Sequence, residues 1–239
     1  MIHGNFVAYA ETTATDPFVL QNRKLLKVHL HYGPVKALLG SMVAYQGDAR
    51  FEHAGSGGMK KFLKSKLTGE GGAHRTDVTF TAGEVFLADQ ARDIEVIYLD
   101  NDMISVNGAN VLAFSASITH DIERVGGGMA GAMTGGLYNT TLRGSGYVAV
   151  TSDGQPMAFD VAAAPVFADF NAVVCWTNGV QMQVKADMGF KSLRSGEAIQ
   201  CGFTGQGWVL IQPSENVPLG GGGTGNAGGS GGLLGGLTG

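Results

Sequence analysis

Two histidines, His29 and His31, have the spacing that most directly suggests chemistry in this sequence. Alternate residues of a β-strand point to the same face, so the pair would bring two imidazoles together, a spacing that metal sites use. No third ligand of suitable spacing accompanies them, and the polar face of an exposed strand explains the pair equally well. We therefore predict no metal site and no cofactor.

Other groups that could act in catalysis are scattered along the chain. His53, His74 and His120 lie near acidic residues, but sequence neighbours rarely form a catalytic pair. The glycine-rich residues 126–136 lack the Gly-Lys-Ser/Thr ending of a phosphate-binding loop. Tight turns and close backbone approach explain these glycines better. Because no catalytic set is present, we predict that the protein is not an enzyme.

The most suggestive surface is a basic segment, residues 59–67. Helical spacing places Met59, Phe62, Leu63 and Leu67 on one face. A basic amphipathic helix is typical of a segment that lies on an anionic membrane or on a partner, although a helix that covers the end of its own barrel has the same pattern. The residues expected to make the membrane or partner contact are Lys60, Lys61, Phe62, Leu63, Lys64 and Lys66.

Composition limits the class of protein. The 239 residues are 44% hydrophobic, which suits a globular protein, but 15% charged, which is below the usual quarter. Few charges favour an oligomer that covers part of its surface, although a polar uncharged surface explains the value too. The net charge of -4 argues against general nucleic-acid binding, because such proteins carry a basic face.

The N-terminus and the cysteines indicate a location. No run of eighteen apolar residues occurs, and residues 1–6 have neither a basic region nor a continuous apolar core, so we expect no membrane-spanning helix and no secretory signal. Cys175 and Cys201 lack metal-ligand spacing and are expected to be reduced and buried, with a disulfide between them as the alternative. We predict a cytoplasmic protein whose basic segment is the place for a peripheral membrane contact.

The chain contains three copies of one unit of about sixty residues. Residues 79–88 recur at 141–150 and at 202–211, each with a polar and small stretch, a glycine and a run of large apolar residues. We call this block the glycine-step strand. A second block places three aromatic residues in register: Tyr45, Phe114 and Trp176. Two blocks that repeat together in three copies predict three related structural units.

Apolar and polar residues alternate within each copy, which is typical of short strands in a sandwich or barrel. We therefore predict an all-β fold of three pseudo-symmetric units that close into one compact domain with one or two short helices. The first unit shows no glycine-step strand before Tyr45, so we expect the strand at 202–211 to complete it. Residues 218–239 are expected to form a flexible glycine-rich tail. The units are expected at about residues 1–58, 59–125 and 126–217 of the single domain 1–217.

Three motifs resemble those of the Altered Inheritance of Mitochondria family: residues 40–47, the lysine-rich segment that ends at 67–70, and residues 202–207. The resemblance covers nearly the whole chain, up to about Glu215. This family is a domain of unknown function with a fold like that of the tryptophan RNA-binding attenuation protein. The resemblance implies three short double-stranded-β-helix units that often assemble into oligomers, and it supplies no catalytic or binding residues.

The residues and the resemblance together favour a non-enzymatic scaffold or interaction protein, which forms a homo-oligomer or binds a protein partner. According to the resemblance, mitochondrial members are tied to inner-membrane organisation, whereas bacterial members, which the tail and the missing transit peptide favour here, have no settled activity. The alternative is a regulatory module of the same fold that binds a small ligand or RNA. A third hypothesis is a metal-dependent enzyme, which would use His29 and His31.

Substitution of the four lysines tests the membrane hypothesis. We expect the wild-type protein to float with vesicles that contain anionic lipid, because each lysine near such a surface contributes about 1 kcal/mol. The variant in which Lys60, Lys61, Lys64 and Lys66 are changed to Gln should stay at the bottom of the gradient. Neutral vesicles serve as the control, and equal flotation of the two proteins with anionic vesicles would contradict the hypothesis.

Overall fold

A computed structural model of the protein describes residues 4–53, 78–125, 138–185 and 200–214. These residues form strands and short 3₁₀ turns without an α-helix, which confirms the predicted all-β fold. The turns are Phe6–Tyr9, Leu30–Tyr32, Gly108–Asn110 and Phe170–Ala172. The strands are β1 (Phe18–Asn22), β2 (Leu25–His29), β3 (Val35–Ala37), β4 (Met42–His53), β5 (Val78–Leu87), β6 (Asp93–Asn107), β7 (Val111–Ser115), β8 (Thr119–Arg124), β9 (Tyr138–Ser152), β10 (Met157–Asp160), β11 (Val166–Asp169), β12 (Val173–Thr177), β13 (Val180–Lys185), β14 (Gln200–Gly205) and β15 (Trp208–Ile211).

Several sequence predictions fall on parts of the chain that lie outside the described residues. These parts include the basic segment 59–67, the glycine-rich residues 126–136 and the tail at 218–239. The predicted contact residues Lys60, Lys61, Phe62, Leu63, Lys64 and Lys66 therefore lie outside the described residues as well. Their role stays a prediction.

The strands form two antiparallel sheets. The larger sheet has twelve strands and a main path of β1-β2-β5-β3-β7-β9-β6-β12-β15-β10, with β4 beside β5 and β8 beside β9. The smaller sheet has the order β11-β14-β13. Alternate residues of a strand point to opposite faces, and β5 accordingly buries Val78 and Phe80 and exposes more of the residues beside them. The buried side chains form three clusters, which contain Val85, Phe114 and Phe203 respectively.

The glycine-step strands share a register with their neighbours. Opposite pairs at corresponding places are Val28 and Val85, Ile97 and Val148, and Phe159 and Val209. The same three valines lie opposite Tyr45, Phe114 and Trp176, the aromatic residues that the sequence repeat aligned with one another. The pseudo-threefold arrangement of three units and their boundaries stay predictions, although β4 and β5 pair across the boundary expected near residue 58.

The predicted role of the last strand is wrong. β15 pairs with β10 and β12, which belong to the third repeat, and the first repeat has a glycine-step strand of its own in β5. The repeat pattern had suggested a glycine-step strand ahead of the aromatic strand, which is the strand that carries Tyr45, Phe114 or Trp176. In the structure each glycine-step strand follows the aromatic strand of its own repeat along the chain and pairs with it. No described pairing joins the third repeat back to the first.

The cysteine prediction is confirmed. Cys175 and Cys201 are free and buried. Burial raises the pKa of each thiol to about 12, and the charge of Asp169 adds to the rise at Cys201. A thiol that stays protonated at neutral pH is a poor nucleophile and a poor metal ligand. Within the described ranges, no helix has the length and apolar character needed to cross a membrane.

The glycine of the first glycine-step strand permits a close contact with β4. Gly83 has φ of +77°, and a Cβ at this position would lie 2.8 Å from the carbonyl oxygen of Gln46 and 2.9 Å from the nitrogen of Ala49. Gly40 also has a positive φ, +86°, but a Cβ there would meet nothing within 4 Å. An added Cβ at Gly40 would therefore cause backbone strain alone, whereas at Gly83 it would cause both backbone strain and steric crowding.

We expect Gly40→Ala to lower the free energy of unfolding by about 1 kcal/mol, because alanine is strained at positive φ. Gly83→Ala should cost about 1 to 3 kcal/mol more, since it also pushes β4 away from β5. Urea denaturation of both variants measures the difference. Equal losses would show that the close approach of β4 at Gly83 contributes nothing.

Candidate functional site

A cluster of charged side chains lies on the sheet face opposite the core of the first repeat. Lys27 Nζ contacts the carboxylates of Glu11 and Glu84, at 3.1 Å from Glu84 Oε2. His29 Nδ1 lies 2.9 Å from Glu84 Oε1. We call Glu11, Lys27, His29 and Glu84 the ionic cluster. Glu84 is its centre, because it contacts both Lys27 and His29.

The strand register positions three members of the ionic cluster. Lys27 and His29 alternate along β2 and so share one face, while Val28 between them points to the core. His29 lies directly opposite Glu84 of β5, which brings the imidazole and the carboxylate together. The alternation that buries Val28 and Val85 therefore also assembles the charged groups behind them.

The fourth member comes from a segment that crosses this face, residues 10–17, which we call the strap. Pro17 O accepts a hydrogen bond of 2.9 Å from His29 N, and Ala14 O lies 3.1 Å from His29 Nε2. Further along the strap, Thr12 N donates to Gln21 Oε1 at 2.7 Å. The strap thus lies over β2 and brings Glu11 to Lys27.

Burial and pairing have opposite effects on the charges of the ionic cluster. Burial alone would lower the pKa of Lys27, but hydrogen bonds to Glu11 and Glu84 and the charges of both carboxylates raise the pKa overall. Burial alone would raise the pKa of Glu84, but the hydrogen bond and charge of Lys27, with those of His29, lower the pKa overall. Both groups are therefore ionised at neutral pH. This arrangement suits ion pairs that hold the strap against β2 better than it suits proton transfer.

The ionic cluster is specific to the first repeat. In the common register, His29 and Glu84 correspond to a tyrosine pair in the second repeat, Tyr98 and Tyr147. The counterparts of Lys27, His29 and Glu84 are Val96, Tyr98 and Tyr147 in the second repeat and Ala158, Asp160 and Trp208 in the third. The ionic cluster was not predicted from the sequence. One signal was available, since Lys27 and His29 alternate with the apolar residues of a strand.

The predicted pairing of His29 and His31 on one strand face is wrong. β2 ends at His29, and a 3₁₀ turn from Leu30 to Tyr32 carries His31 out to an exposed position. The two rings lie 5.7 Å apart at 67°, edge to face. His29 already contacts Glu84 and the strap. Among the described residues, no group of three or more His, Cys, Asp or Glu side chains could hold a metal ion.

An open cleft of about 540 Å³ adjoins the ionic cluster. Its walls come from the turn at Leu30 and His31, from Gln46 and Gly47 of β4, and from residues 81–84 of β5. Glu84 is the member of the ionic cluster that lines it. The cleft therefore presents a carboxylate whose charge is already compensated by Lys27.

The edge of β4 exposes large apolar side chains that point the same way as core residues. Tyr45 lies opposite the buried Val85, but its own surface is 57% exposed, and Val43 beside it is 60% exposed. Tyr45 stacks edge to face on Phe51 at 6.5 Å between ring centroids. We call Val43 and Tyr45 the β4 patch. β5 is the one described strand with which β4 pairs.

The corresponding positions in the other repeats are buried. Each aromatic strand has a bulge in the same place, at Val43, Leu112 and Val174. Leu112 and Val174 are fully buried, and the aromatic residues that follow, Phe114 and Trp176, are buried as well. The same sequence pattern therefore gives a core position in two repeats and a surface position in the first.

Comparisons with known proteins bear on the family and the fold. Residues 18–214 match the model of a protein family described as mitochondrial biogenesis AIM24. The chain is also similar to the X-ray crystal structure of protein SPYM3_0169 from Streptococcus pyogenes, with 21% sequence identity and a TM-score of 0.65. This similarity covers 82% of this chain and 92% of that chain, and at such an identity it shows the fold alone. A search of curated proteins finds no match.

The direction of each pKa shift fixes how the ionic cluster affects stability. The pKa of Glu84 is lowered from 4.5, so its contribution is complete above about pH 4.5 and is lost as the pH falls through the lowered value. The pKa of Lys27 is raised from 10.5, so its contribution is complete below about pH 10.5 and is lost as the pH rises through the raised value. Between these limits the contribution is constant.

We expect Lys27→Met to lower the free energy of unfolding at pH 7 by about 2 to 4 kcal/mol, because the change leaves half-buried carboxylates without their counter-ion. The variant should also lose less stability than the wild type on acidification below pH 4.5. Lys24→Met is the matched control, since Lys24 Nζ lies 3.1 Å from Asp93 Oδ1 with a side chain that is 52% exposed. The control should cost less than about 1 kcal/mol. Equal losses of unfolding free energy in the two variants, measured by urea denaturation, would contradict the stabilising role of the ionic cluster.

Proposed function

The chain belongs to the AIM24 family, as its motifs predicted, and from that premise we propose that it is a non-enzymatic scaffold that assembles with further copies of itself. The observation that carries the proposal is the β4 patch. Val43 and Tyr45 are exposed, whereas their counterparts Leu112 and Phe114 are buried. The β4 patch is thus exposed at positions that are buried in the other two repeats, and an interface between copies would bury it in the same way.

The charges near the β4 patch support association between like copies. The patch itself is uncharged, and Asp48 and Arg50, which follow on the same strand, pair with each other at 3.0 Å. With a net charge of -4 on 239 residues, two copies repel each other weakly. Edge strands of monomeric proteins are usually protected by charges or proline, and the β4 patch has neither. These features favour a partner of the same composition.

The absence of enzyme activity is part of the proposal and is supported by the state of the ionisable groups. Lys27 and Glu84 have pKa values shifted away from neutrality, so neither is suited to exchange protons at pH 7. The thiols of Cys175 and Cys201 are buried and protonated. The charged groups of the ionic cluster are thus better suited to holding the strap than to chemistry.

A small-ligand or RNA-binding module is the second candidate. The cleft beside Glu84 favours it, because the cleft is large enough for a small molecule and its walls carry polar groups. Its openness to solvent and the net negative charge of the chain count against tight binding of a ligand or of RNA. Retention of RNA on a filter at physiological salt would favour this candidate over the scaffold.

Mass measurement by light scattering after size exclusion tests the scaffold. We expect the wild-type protein to elute as a multiple of the chain mass. Val43→Ser combined with Tyr45→Ser should raise the dissociation constant about thirtyfold or more, because loss of a buried aromatic anchor costs about 2 kcal/mol. Met157→Ser is the matched control, since Met157 is 59% exposed on β10, another edge strand of the larger sheet.

Two results would overturn the scaffold proposal. A wild-type protein that is monomeric at all concentrations would show that the β4 patch has no partner copy. If the double variant were also destabilised in urea while both proteins stay monomeric, the β4 patch would be covered by another part of the same chain.

A further inference from the structure

Three places in the chain have an asparagine or aspartate directly before a glycine. They are Asn107-Gly108, Asp153-Gly154 and Asn178-Gly179. In such a pair the backbone nitrogen of the glycine can attack the side-chain Cγ of the residue before it, because glycine has no Cβ to obstruct the approach. The surroundings of each pair therefore decide whether it reacts.

The fold protects Asn107. The residue is 5% exposed. Asn107 Nδ2 donates a hydrogen bond of 3.1 Å to Phe170 O, and Asn107 Oδ1 accepts one of 3.1 Å from Ala109 N. Both ends of the side-chain amide are thus fixed, and the attack would have to break both bonds in a buried place.

An ion pair protects Asp153. Arg92 Nε donates to Asp153 Oδ1 at 3.1 Å, and the Arg92 side chain is only 10% exposed. An ionised carboxylate is a poor electrophile, because its negative charge repels a nucleophile and it has no good leaving group. The ion pair holds Asp153 in this unreactive form.

Asn178 has neither kind of protection. Asn178 and Gly179 are both exposed, in the turn that joins β12 to β13. Within the described residues the Asn178 amide makes one hydrogen bond, a long one of 3.4 Å from Nδ2 to Oδ1 of the exposed Asp102. Both residues line a cleft of about 320 Å³ that admits water.

The turn itself explains why a reactive pair stands at this place. Gly179 has φ of +88°, and a Cβ there would lie 2.6 Å from the carbonyl oxygen of Gln206. The position therefore needs glycine, and asparagine is among the residues that tight turns favour beside it. The sequence that suits the turn is also the sequence that reacts.

We propose that Asn178 is a site of spontaneous deamidation. The Gly179 nitrogen bonds to Asn178 Cγ, its proton passes through solvent to the departing amide nitrogen, and ammonia leaves as a succinimide ring closes. Water then opens the ring. Cleavage of the bond between the Gly179 nitrogen and Cγ gives aspartate, whereas cleavage of the bond to the backbone carbonyl carbon gives isoaspartate.

Deamidation changes the contact between the second and third repeats. A carboxylate at position 178 cannot donate to Asp102 and repels it, and the net charge goes from -4 to -5 because one neutral amide becomes one carboxylate. Isoaspartate also adds one atom to the backbone between two hydrogen bonds, from Asn178 N to Met103 O at 3.2 Å and from Gln206 N to Gly179 O at 3.1 Å. The isoaspartate product therefore loosens the turn more than the aspartate product does.

Peptide mapping by mass spectrometry of the aged full-length protein tests the site. Wild-type protein is incubated at pH 7 and at mildly alkaline pH, then digested at mildly acidic pH so that no conversion occurs during preparation. We expect Asn178 to be converted about tenfold faster than Asn107 or more, because Asn107 reacts only after local opening. Conversion should be faster at alkaline pH, since the attacking nitrogen must lose its proton.

The same protein incubated in urea is the matched control, because unfolding removes the protection of Asn107 and leaves both Asn-Gly pairs intact. Asn107 and Asn178 should react there at similar rates. Ion exchange of the folded protein gives a second measurement, in which an acidic species grows with time. Asn178→Gln should not form this species, because closure of the larger ring is slower, and Asn178→Asp should elute with it from the start.

Three results would overturn the proposal. Conversion of Asn107 in urea without conversion of Asn178 in the folded protein would show that the turn protects Asn178. Equal conversion of Asn107 and Asn178 in the folded protein would show that the fold does not select the site. An acidic species that grows equally in Asn178→Gln would place the change elsewhere in the chain. The scaffold proposal is independent of all three, since light scattering of fresh protein tests it separately.

Discussion

A strand inside a sheet pairs along both edges, and this requirement governs the arrangement of the repeats. Each glycine-step strand pairs with strands of its own repeat, among them the aromatic strand, which is β4, β7 or β12. In the first two repeats it also pairs with β3 or β6, which we call the covering strand. Two repeats meet where the aromatic strand of one pairs with the covering strand of the repeat before it. Burial of Phe114 and Trp176 follows from this contact rather than from their own sequence surroundings.

Periodicity and repetition predicted much of the fold. The alternation of apolar residues indicated strands, and the repeat aligned Tyr45, Phe114 and Trp176, which the structure places opposite corresponding valines. These predictions succeeded because they depend on local geometry and on pairing within a repeat. The exposure of Tyr45 was not predictable in this way, since it depends on whether another repeat covers β4. The assignment of β15 failed for the same reason, because a linear pattern does not say which neighbour a strand chooses.

The ionic cluster shows a second limit of sequence reasoning. His29 and His31 have a spacing that suits a metal on a continuous strand, but the strand ends at His29 and the next residues turn. The groups that do meet are Lys27, His29, Glu84 and Glu11, which come from two strands and a crossing segment. Their spacing along the chain carries no signal of this contact. In the first repeat Lys27 and Glu84 stand where the second and third repeats have apolar or aromatic residues, and that replacement is visible only once the register is known.

The order of strands within each repeat has a consequence for folding during synthesis. Because a glycine-step strand follows its aromatic strand along the chain, each repeat can form its hairpin soon after the ribosome has made it. The aromatic strands of the second and third repeats find their covering strands already made, since β3 precedes β7 and β6 precedes β12. β4 is the exception. Among the described residues, no strand translated ahead of β4 pairs with it, so Tyr45 has no covering strand when its repeat is made.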